Sequence, residues 1–337
     1  MRLGGSFLLE QAGKKINTRR ENSLYAMSGR CAIYACLKDL GLREGSIAYL
    51  PAYTCETVMA PYVKAGCALR FYDVDPDGLR PVFKEEDLEG VSVMNLCAYY
   101  GFLTYSRSFL PKVKERGITI IQDTTHSPTY IDPYADYAAG SLRKWMGVAS
   151  GGWAVKKAGP FTVSLLPPEE DHLRGRYLSM EQNREALFDE AAETFWATEM
   201  RLRKIFDAYA SDGLSVDIIE SFDFGRMKEI RRRNFYAVLS AVTAEKGWKP
   251  VFTSLGEEDC PSHFTIYVEE RDKMRSYLKD HDISSTVYWP ESPFLKDRES
   301  FTSSLWVMAH VLSVPLDQRY TEEDMRYLGS VLSSYRP

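Results

Sequence analysis

Several features that mark whole classes of proteins are missing from this sequence. No apolar run approaches the length of a membrane-spanning helix, and the N-terminal segment lacks the long apolar core of a signal peptide. The 42 lysines and arginines are outnumbered by 47 aspartates and glutamates, so the chain has no basic excess for nucleic acid. We therefore expect no membrane partner, no nucleic-acid partner and no signal peptide.

The pairing motifs of cysteine are also absent. The six cysteines include no C-x-x-C pair, and most of them lie inside apolar runs. This pattern is typical of reduced, buried thiols and argues against a disulfide framework or a zinc site. Together with the missing signal peptide, it predicts a cytoplasmic protein without a metal centre.

Strand-like and helix-like patterns alternate in the first half of the chain. Strand-like runs occupy 47–51, 68–75, 91–98 and 119–123, with helical patterns at 55–66 and 106–117. This alternation predicts an α/β fold with a mostly parallel sheet between helices. No G-x-G-x-x-G follows the first strand and no G-x-x-x-x-G-K-[ST] occurs, which discourages the hypothesis of a nicotinamide-dependent reductase.

The second half of the chain predicts a different organisation. One long helical pattern runs over 181–210, with charges typical of a solvated face. Another runs over 227–246 and contains three consecutive arginines at 231–233, which we interpret as structural and not as a binding patch. The remainder alternates shorter elements, including strand-like runs at 263–270 and 283–290. We expect a large domain over 1–226, with an N-terminal arm, and a small α+β domain over 227–337.

The most informative stretch runs from 119 to 155. A β-branched run ends on Asp123, which places that carboxylate at the edge of the sheet where ligands collect. Ser141, Lys144 and the pair Gly151-Gly152 follow it. A lysine can form a Schiff base with an aldehyde, and a carboxylate can pair with a pyridinium nitrogen. The combination suits pyridoxal 5′-phosphate (PLP).

A phosphate site is predicted at the first helix. Ser28 is a suitable N-cap for a helical pattern that ends at Gly41. The N-terminus of that helix would present the backbone N–H groups of Gly29, Arg30 and Cys31 to a phosphate. An ordinary capped helix is the alternative interpretation.

These motifs resemble those of the DegT/StrS-type sugar aminotransferases, which are fold-type I PLP-dependent enzymes. The resemblance lies in the strand end at 122–126, in Lys144 and in Gly151-Gly152, with Ser141 closer to the lysine than is usual. A C-terminal L-S-V-P-L strand followed by T-E-E-D extends it over nearly the whole chain, most weakly at 160–225. It implies a large domain built on a mostly parallel sheet of the seven-stranded type.

The resemblance also assigns roles to residues. Lys144 would carry the Schiff base and move the proton, while Asp123 would keep the pyridine nitrogen protonated. His126 would lie beside the ring near its phenolic oxygen, and Ser141 would donate to the phosphate. Either Tyr53 or Cys55 would contact the face of the ring, a position at which the family has an aromatic residue.

The activity implied by the resemblance is transfer of an amino group from L-glutamate to a keto sugar carried on a nucleotide. Such a reaction belongs to sugar or cell-surface polysaccharide biosynthesis, and the family implies a homodimer. The presence of Lys144 disfavours the dehydratase variant of the family, which has histidine there. A PLP-binding protein without turnover, acting as a regulator or scaffold, remains an alternative hypothesis.

Overall fold

The structure, a computed structural model, describes residues 2–17 and 20–337. Its main sheet has eight strands in the order β1-β8-β7-β6-β5-β2-β3-β4. The strands are β1 (Ser23–Ala26), β2 (Ile47–Pro51), β3 (Ala68–Asp75), β4 (Arg80–Val82), β5 (Val91–Cys97), β6 (Thr119–Asp123), β7 (Tyr137–Ser141) and β8 (Gly152–Lys156).

The predicted α/β class and the mostly parallel sheet are confirmed. The strands β3, β2, β5, β6 and β7 pair in parallel, whereas β1, β8 and β4 are antiparallel to their neighbours. The sheet has one strand more than the expected seven-stranded type. The additional strand is β4, which a turn with Gly78 at φ 68° folds back along the edge of β3. Strand β1 lies in the N-terminal region, where no periodicity had indicated a strand.

The described residues form ten α-helices. These are α1 (Gly29–Leu40), α2 (Glu56–Lys64), α3 (Leu110–Glu115), α4 (Glu170–Arg184), α5 (Phe188–Ile205), α6 (Gly213–Ser221), α7 (Phe224–Ala241), α8 (Arg271–Asp280), α9 (Thr302–His310) and α10 (Glu322–Ser334). Among them, none is both long and apolar enough to cross a membrane.

The single long helix predicted over 181–210 is wrong. The chain forms α4 and α5 instead, and the break between them has Ala186 at φ 63°. This left-handed conformation turns the chain so that α5 packs back against α4. No glycine or proline marks the break, so the sequence pattern runs through it without interruption.

Helices cover both faces of the main sheet because side chains alternate along each strand. On β6, Ile121 joins the hydrophobic cluster of Ile33 on α1, while Ile120 joins the opposite cluster of Leu110 and Val113 on α3. Because these helices pack on the faces of the sheet, they leave the carboxyl ends of β5, β6 and β7 open. Asp123 lies there, opposite Cys97 and Ala139 in the strand registers.

The C-terminal part contains a second sheet of three antiparallel strands. They are β9 (Trp248–Pro250), β10 (His263–Val268) and β11 (Val311–Pro315), in the order β11-β10-β9. The strand predicted over 283–290 is wrong, since this segment makes only isolated bridges at Ile283 and Thr286. The predicted boundary between 226 and 227 falls in the first turn of α7 and stays a prediction.

The N-terminus of α1 is held against β8 by a glycine. A Cβ atom on Gly152 would come within 2.1 Å of the Ser28 carbonyl oxygen and 2.4 Å of its carbon. Both are backbone atoms and cannot rotate away. We expect Gly152→Ala to lower the free energy of unfolding by about 1–3 kcal/mol, because overpacking forces the backbone to move. Urea denaturation measures this change.

The matched control is Gly213→Ala at the first residue of α6, where an added Cβ meets no described atom within 4 Å. Its stability should stay the same or rise, since alanine is the better helix former. Equal losses in both variants would contradict close packing at Gly152.

Candidate functional site

A cavity of about 700 Å³ opens at the carboxyl edge of the main sheet, between the two sheets. Its walls come from α1, from the ends of β5, β6 and β7, from α4 and α5, and from the 283–290 segment. Seven of the nine residues predicted for the site line it: Gly29, Arg30, Cys55, Asp123, His126, Ser141 and Lys144.

Lys144 ends a short 3₁₀ turn, Leu142–Lys144, that follows β7. Its Nζ atom lies 2.8 Å from His126 Nε2 and 4.5 Å from the centroid of the Tyr288 ring. Burial lowers the pKa of Lys144, and the negative charge of Asp123 opposes that shift. The site therefore contains a partly buried amine whose neutral, nucleophilic form is easier to reach than that of an exposed lysine.

Asp123 and His126 are the titratable neighbours of that amine. Asp123 Oδ1 accepts a hydrogen bond from the Thr125 backbone N–H at 2.8 Å, while burial raises the pKa of the carboxyl group. Burial also holds the pKa of His126 well below its ordinary value, so its ring is neutral. With Nε2 accepting from Lys144, the proton is on Nδ1, which has no hydrogen-bond partner among the described residues.

The N-terminus of α1 forms one end of the cavity. The Ser28 side chain caps the helix by accepting from the Cys31 backbone N–H at 3.3 Å. Cys31 is buried and does not line the cavity, whereas Gly29 and Arg30 do. Gly29 packs against Ser141, because a Cβ on this glycine would lie 3.1 Å from the serine Cβ. Helix and strand end therefore meet at one corner of the cavity.

Tyr53 lies outside the cavity wall. Its hydroxyl group is 2.5 Å from that of Tyr100 and donates to the Tyr288 carbonyl oxygen at 2.9 Å, and its ring stacks on Tyr99. Cys55, two residues later, lines the cavity. The sequence did not decide whether Tyr53 or Cys55 would face the cavity. The structure places Cys55 in the cavity wall, whereas Tyr53 joins its loop to the 283–290 segment.

The charged residues that α4 and α5 contribute to the cavity were not predicted from the sequence. Glu199 accepts from Arg143 Nη1 at 2.6 Å, and its other oxygen lies 3.9 Å from Arg30 Nη2. Arg176 is also buried and lines the cavity. A signal existed, since His172, Arg176 and Met180 recur at helical spacing, but polar residue types conceal a buried face in a hydrophobicity pattern.

Arg231 on α7 is a further cavity residue that was not assigned to the site from the sequence. It is completely buried, its Nε donates to Gln318 at 2.9 Å, and its guanidinium lies 4.4 Å from the centroid of the Trp145 ring. Its Nη1 donates to the Ser262 carbonyl oxygen at 3.0 Å. It thus joins α7 to the start of β10 and lines the cavity at the same time.

Solved structures with a similar fold include aminotransferases, some of them described as sugar aminotransferases. A putative sugar aminotransferase from Streptococcus pneumoniae, Spr1654 in its PLP form, superposes with a TM-score of 0.67 at 14% identity over 98% of each chain. TlmJ, an aminotransferase from Streptoalloteichus hindustanus, gives 0.68 at 13% identity over 93% of this chain and 85% of its own.

A DegT/DnrJ/EryC1/StrS aminotransferase from Brucella abortus gives a TM-score of 0.67 at 16% identity, over 92% of this chain and 84% of its own. These likenesses confirm the expected fold. No family model matches the sequence, and no curated protein matches it.

The buried ammonium of Lys144 should destabilise the fold. Because its pKa is lower in the folded chain, the unfolded chain holds the proton more tightly, and stability rises as pH increases towards the unfolded pKa near ~10.4. In the ligand-free protein at neutral pH, we expect Lys144→Met to gain at least about 1 kcal/mol. Urea denaturation at several pH values measures the gain, which should shrink towards pH ~10.4.

Lys279→Met, at an exposed position of α8, is the matched control. It should show no gain that depends on pH in this way. A stability of Lys144→Met equal to or below that of the unmodified chain at neutral pH would contradict a destabilising buried ammonium.

Proposed function

We propose that this protein is a PLP-dependent aminotransferase that moves an amino group from L-glutamate to a keto sugar, carried on a nucleotide. The observation that supports this most directly is a partly buried amine, Lys144, with a buried carboxylate, Asp123, in one cavity at the carboxyl edge of the sheet. The assignment of L-glutamate and of a nucleotide-linked sugar follows the sequence resemblance, and sugar aminotransferases share the fold.

The residues of the cavity fit the parts of PLP. Burial raises the pKa of Asp123, which means that its ionised form is poorly stabilised. A pyridinium N–H would provide the cationic hydrogen-bond partner that stabilises this carboxylate. The unpartnered Nδ1–H of His126 suits an acceptor such as the phenolic oxygen. Ser141, Gly29 and Arg30 lie together at the N-terminus of α1, where a phosphate would be held. Cys55 would contact the face of the ring through its polarizable sulfur.

The chemistry then divides between cofactor and protein. PLP supplies an electron sink next to the carbon that gains or loses the amino group. Lys144 would hold the cofactor covalently through Nζ and, once released, would carry the proton to and from the donor carbon. Its lowered pKa favours the neutral amine that accepts this proton. His126, 2.8 Å away, would orient the amine, and Asp123 would keep the ring nitrogen of bound PLP protonated.

A homodimer is part of this proposal. On α5, Phe188, Trp196 and Met200 project from one face at helical spacing and are 43%, 57% and 46% exposed. Large apolar side chains exposed together mark a surface that another protein covers. Trp196 also lines the cavity, so a second copy on this face would contact the site. The occupant that we assign to this face is therefore another copy of this chain.

The first test concerns attachment of the cofactor. Borohydride reduction of the protein with PLP, followed by peptide mapping, should place the phosphopyridoxyl group on Lys144. Lys144→Ala should lose this covalent label entirely, while Lys279→Met at an exposed site should keep it. A label on another lysine, or none, would refute the assignment of the Schiff-base residue.

The second test concerns turnover. L-glutamate alone should convert the bound cofactor to its aminated form with release of one 2-oxoglutarate per site, and a keto sugar should restore the starting spectrum. Asp123→Asn should still bind PLP covalently but lose about 10²–10³ in rate, since an amide cannot hold the pyridinium proton. If common amino donors leave the spectrum unchanged, the PLP-binding protein without turnover becomes the better hypothesis.

A further inference from the structure

An unusual concentration of positive charge lies where α4 and α5 meet α1. We name the four residues concerned, Arg30, Arg143, Arg176 and Glu199, the arginine cluster. All four line the cavity, and three of them are at most 9% exposed; Arg143 is partly buried. Glu199 is the carboxylate that joins two of the arginines, at 2.6 Å from Arg143 and 3.9 Å from Arg30. The cluster is therefore a built feature of the interior.

The charges of the cluster do not balance. Three guanidinium groups face one carboxylate, which leaves two positive charges without a counter-charge inside the cluster. The neighbouring His172 adds none, because burial and Arg143 lower its pKa to about 4. Arg203, close by, is paired with Glu56 at 3.2 Å. An excess of two charges in a buried place is costly unless an anion neutralises it.

Hydrogen-bonding groups of the cluster are also unpartnered. Arg30 Nη1, Arg143 Nε and Arg176 Nε are buried and have no hydrogen-bond partner among the described residues. Instead, the guanidinium of Arg176 lies 4.7 Å from the centroid of the Phe195 ring, and that of Arg30 lies 5.7 Å from the Phe206 ring. Burial and the nearby Arg143 lower the pKa of Arg176 to about 9. Buried donors without acceptors indicate a missing anionic ligand.

The position of the cluster identifies the anion. Arg30 belongs to the first turn of α1, and Arg143 follows Ser141 by two residues, so both come from the corner where Gly29 meets Ser141. The positive end of the α1 dipole adds to the same field. A phosphate monoester carries about 1.5–2 negative charges at neutral pH and has several acceptor oxygens. A single carboxylate would leave half of the excess charge unbalanced.

We propose that the arginine cluster is a side-chain subsite for a phosphate dianion, and that in the working protein this is the phosphate of the cofactor. The inference rests on the proposed function for the identity of the cofactor. Arg176, from the part of the chain where the family resemblance is weakest, supplies positive charge from α4. Glu199 orients Arg143 and Arg30 and limits the excess charge to that of one phosphate.

The first experiment needs no cofactor. In the full chain freed of PLP, inorganic phosphate should raise the melting temperature more than chloride at equal ionic strength. Arg176→Met should lose most of this increase, and Arg176→Lys, which keeps the charge, should retain part of it. The control is Arg174→Met on the same helix, whose side chain is 77% exposed, and it should behave like the unmodified chain. A full phosphate response in Arg176→Met overturns the proposal.

The second experiment separates the phosphate from the rest of the cofactor. PLP and pyridoxal both offer an aldehyde to Lys144, but only PLP has a phosphate. Arg176→Met should weaken PLP binding by about 10- to 100-fold, the effect of losing a charge-assisted hydrogen bond, and change pyridoxal binding by less than about twofold. Equal weakening of both would show a general disturbance of the cavity and overturn the proposal.

A third arm asks where the phosphate comes from. If a nucleoside diphosphate raises the melting temperature of the PLP-saturated protein, and Arg176→Met removes that increase, the subsite serves a substrate and its assignment to the cofactor is overturned. No effect of the nucleotide supports the cofactor. Failure of the proposed function would look different, since the unmodified chain would then form no reducible bond between PLP and Lys144 while still responding to inorganic phosphate.

Discussion

The cavity is organised around an amine and a carboxylate that are held together, largely out of water, at the carboxyl edge of one sheet. Lys144 and Asp123 both lose their hydration there, and burial moves both pKa values towards the neutral forms. Such groups lower the stability of the fold unless a ligand replaces the hydrogen bonds and charge stabilisation that water provides at an exposed site. The elements around them hold the arrangement in place: α1 packs on the ends of β7 and β8 through Gly29 and Gly152, which allow backbone and side chain to approach closely.

Charge is distributed unevenly around this centre. The end of the cavity near α1 carries the arginine cluster, while the Lys144 end is covered by the aromatic rings of Tyr288 and Trp289, at 4.5 and 5.6 Å from its Nζ. A ligand with a phosphate at one end and a flat aromatic ring at the other would match both environments. The two rings would also limit the access of bulk water to the amine, because they lie over Lys144 Nζ.

The second part of the chain completes the cavity and does more than carry surface charge. Helix α7 brings Arg231 under the cavity, where its bonds to Gln318 and to the backbone of Ser262 tie this helix to the three-stranded sheet. The segment 283–290 makes no strand, yet its Tyr288 carbonyl oxygen accepts from Tyr53 and joins both halves of the site. Both halves also share one continuous hydrophobic cluster, which includes Leu50 of β2 and Leu312 of β11. Movement of one half would therefore alter the site directly.

The sequence by itself determined the α/β class, the strands β2, β3, β5 and β6, the capped helix α1 and the meeting of Asp123 and Lys144 at one edge of the sheet. These are local properties, since strand periodicity, caps and the end of an apolar run are written in neighbouring residues. Only the tertiary structure decided that α4 and α5 are two helices, that Cys55 and not Tyr53 lines the cavity, and that Arg176 and Glu199 lie inside it. Their positions depend on a left-handed residue, Ala186, and on contacts between segments far apart in sequence. A pattern of polar residues cannot distinguish a solvated helix face from one that faces a buried anion site, because the same side chains serve both.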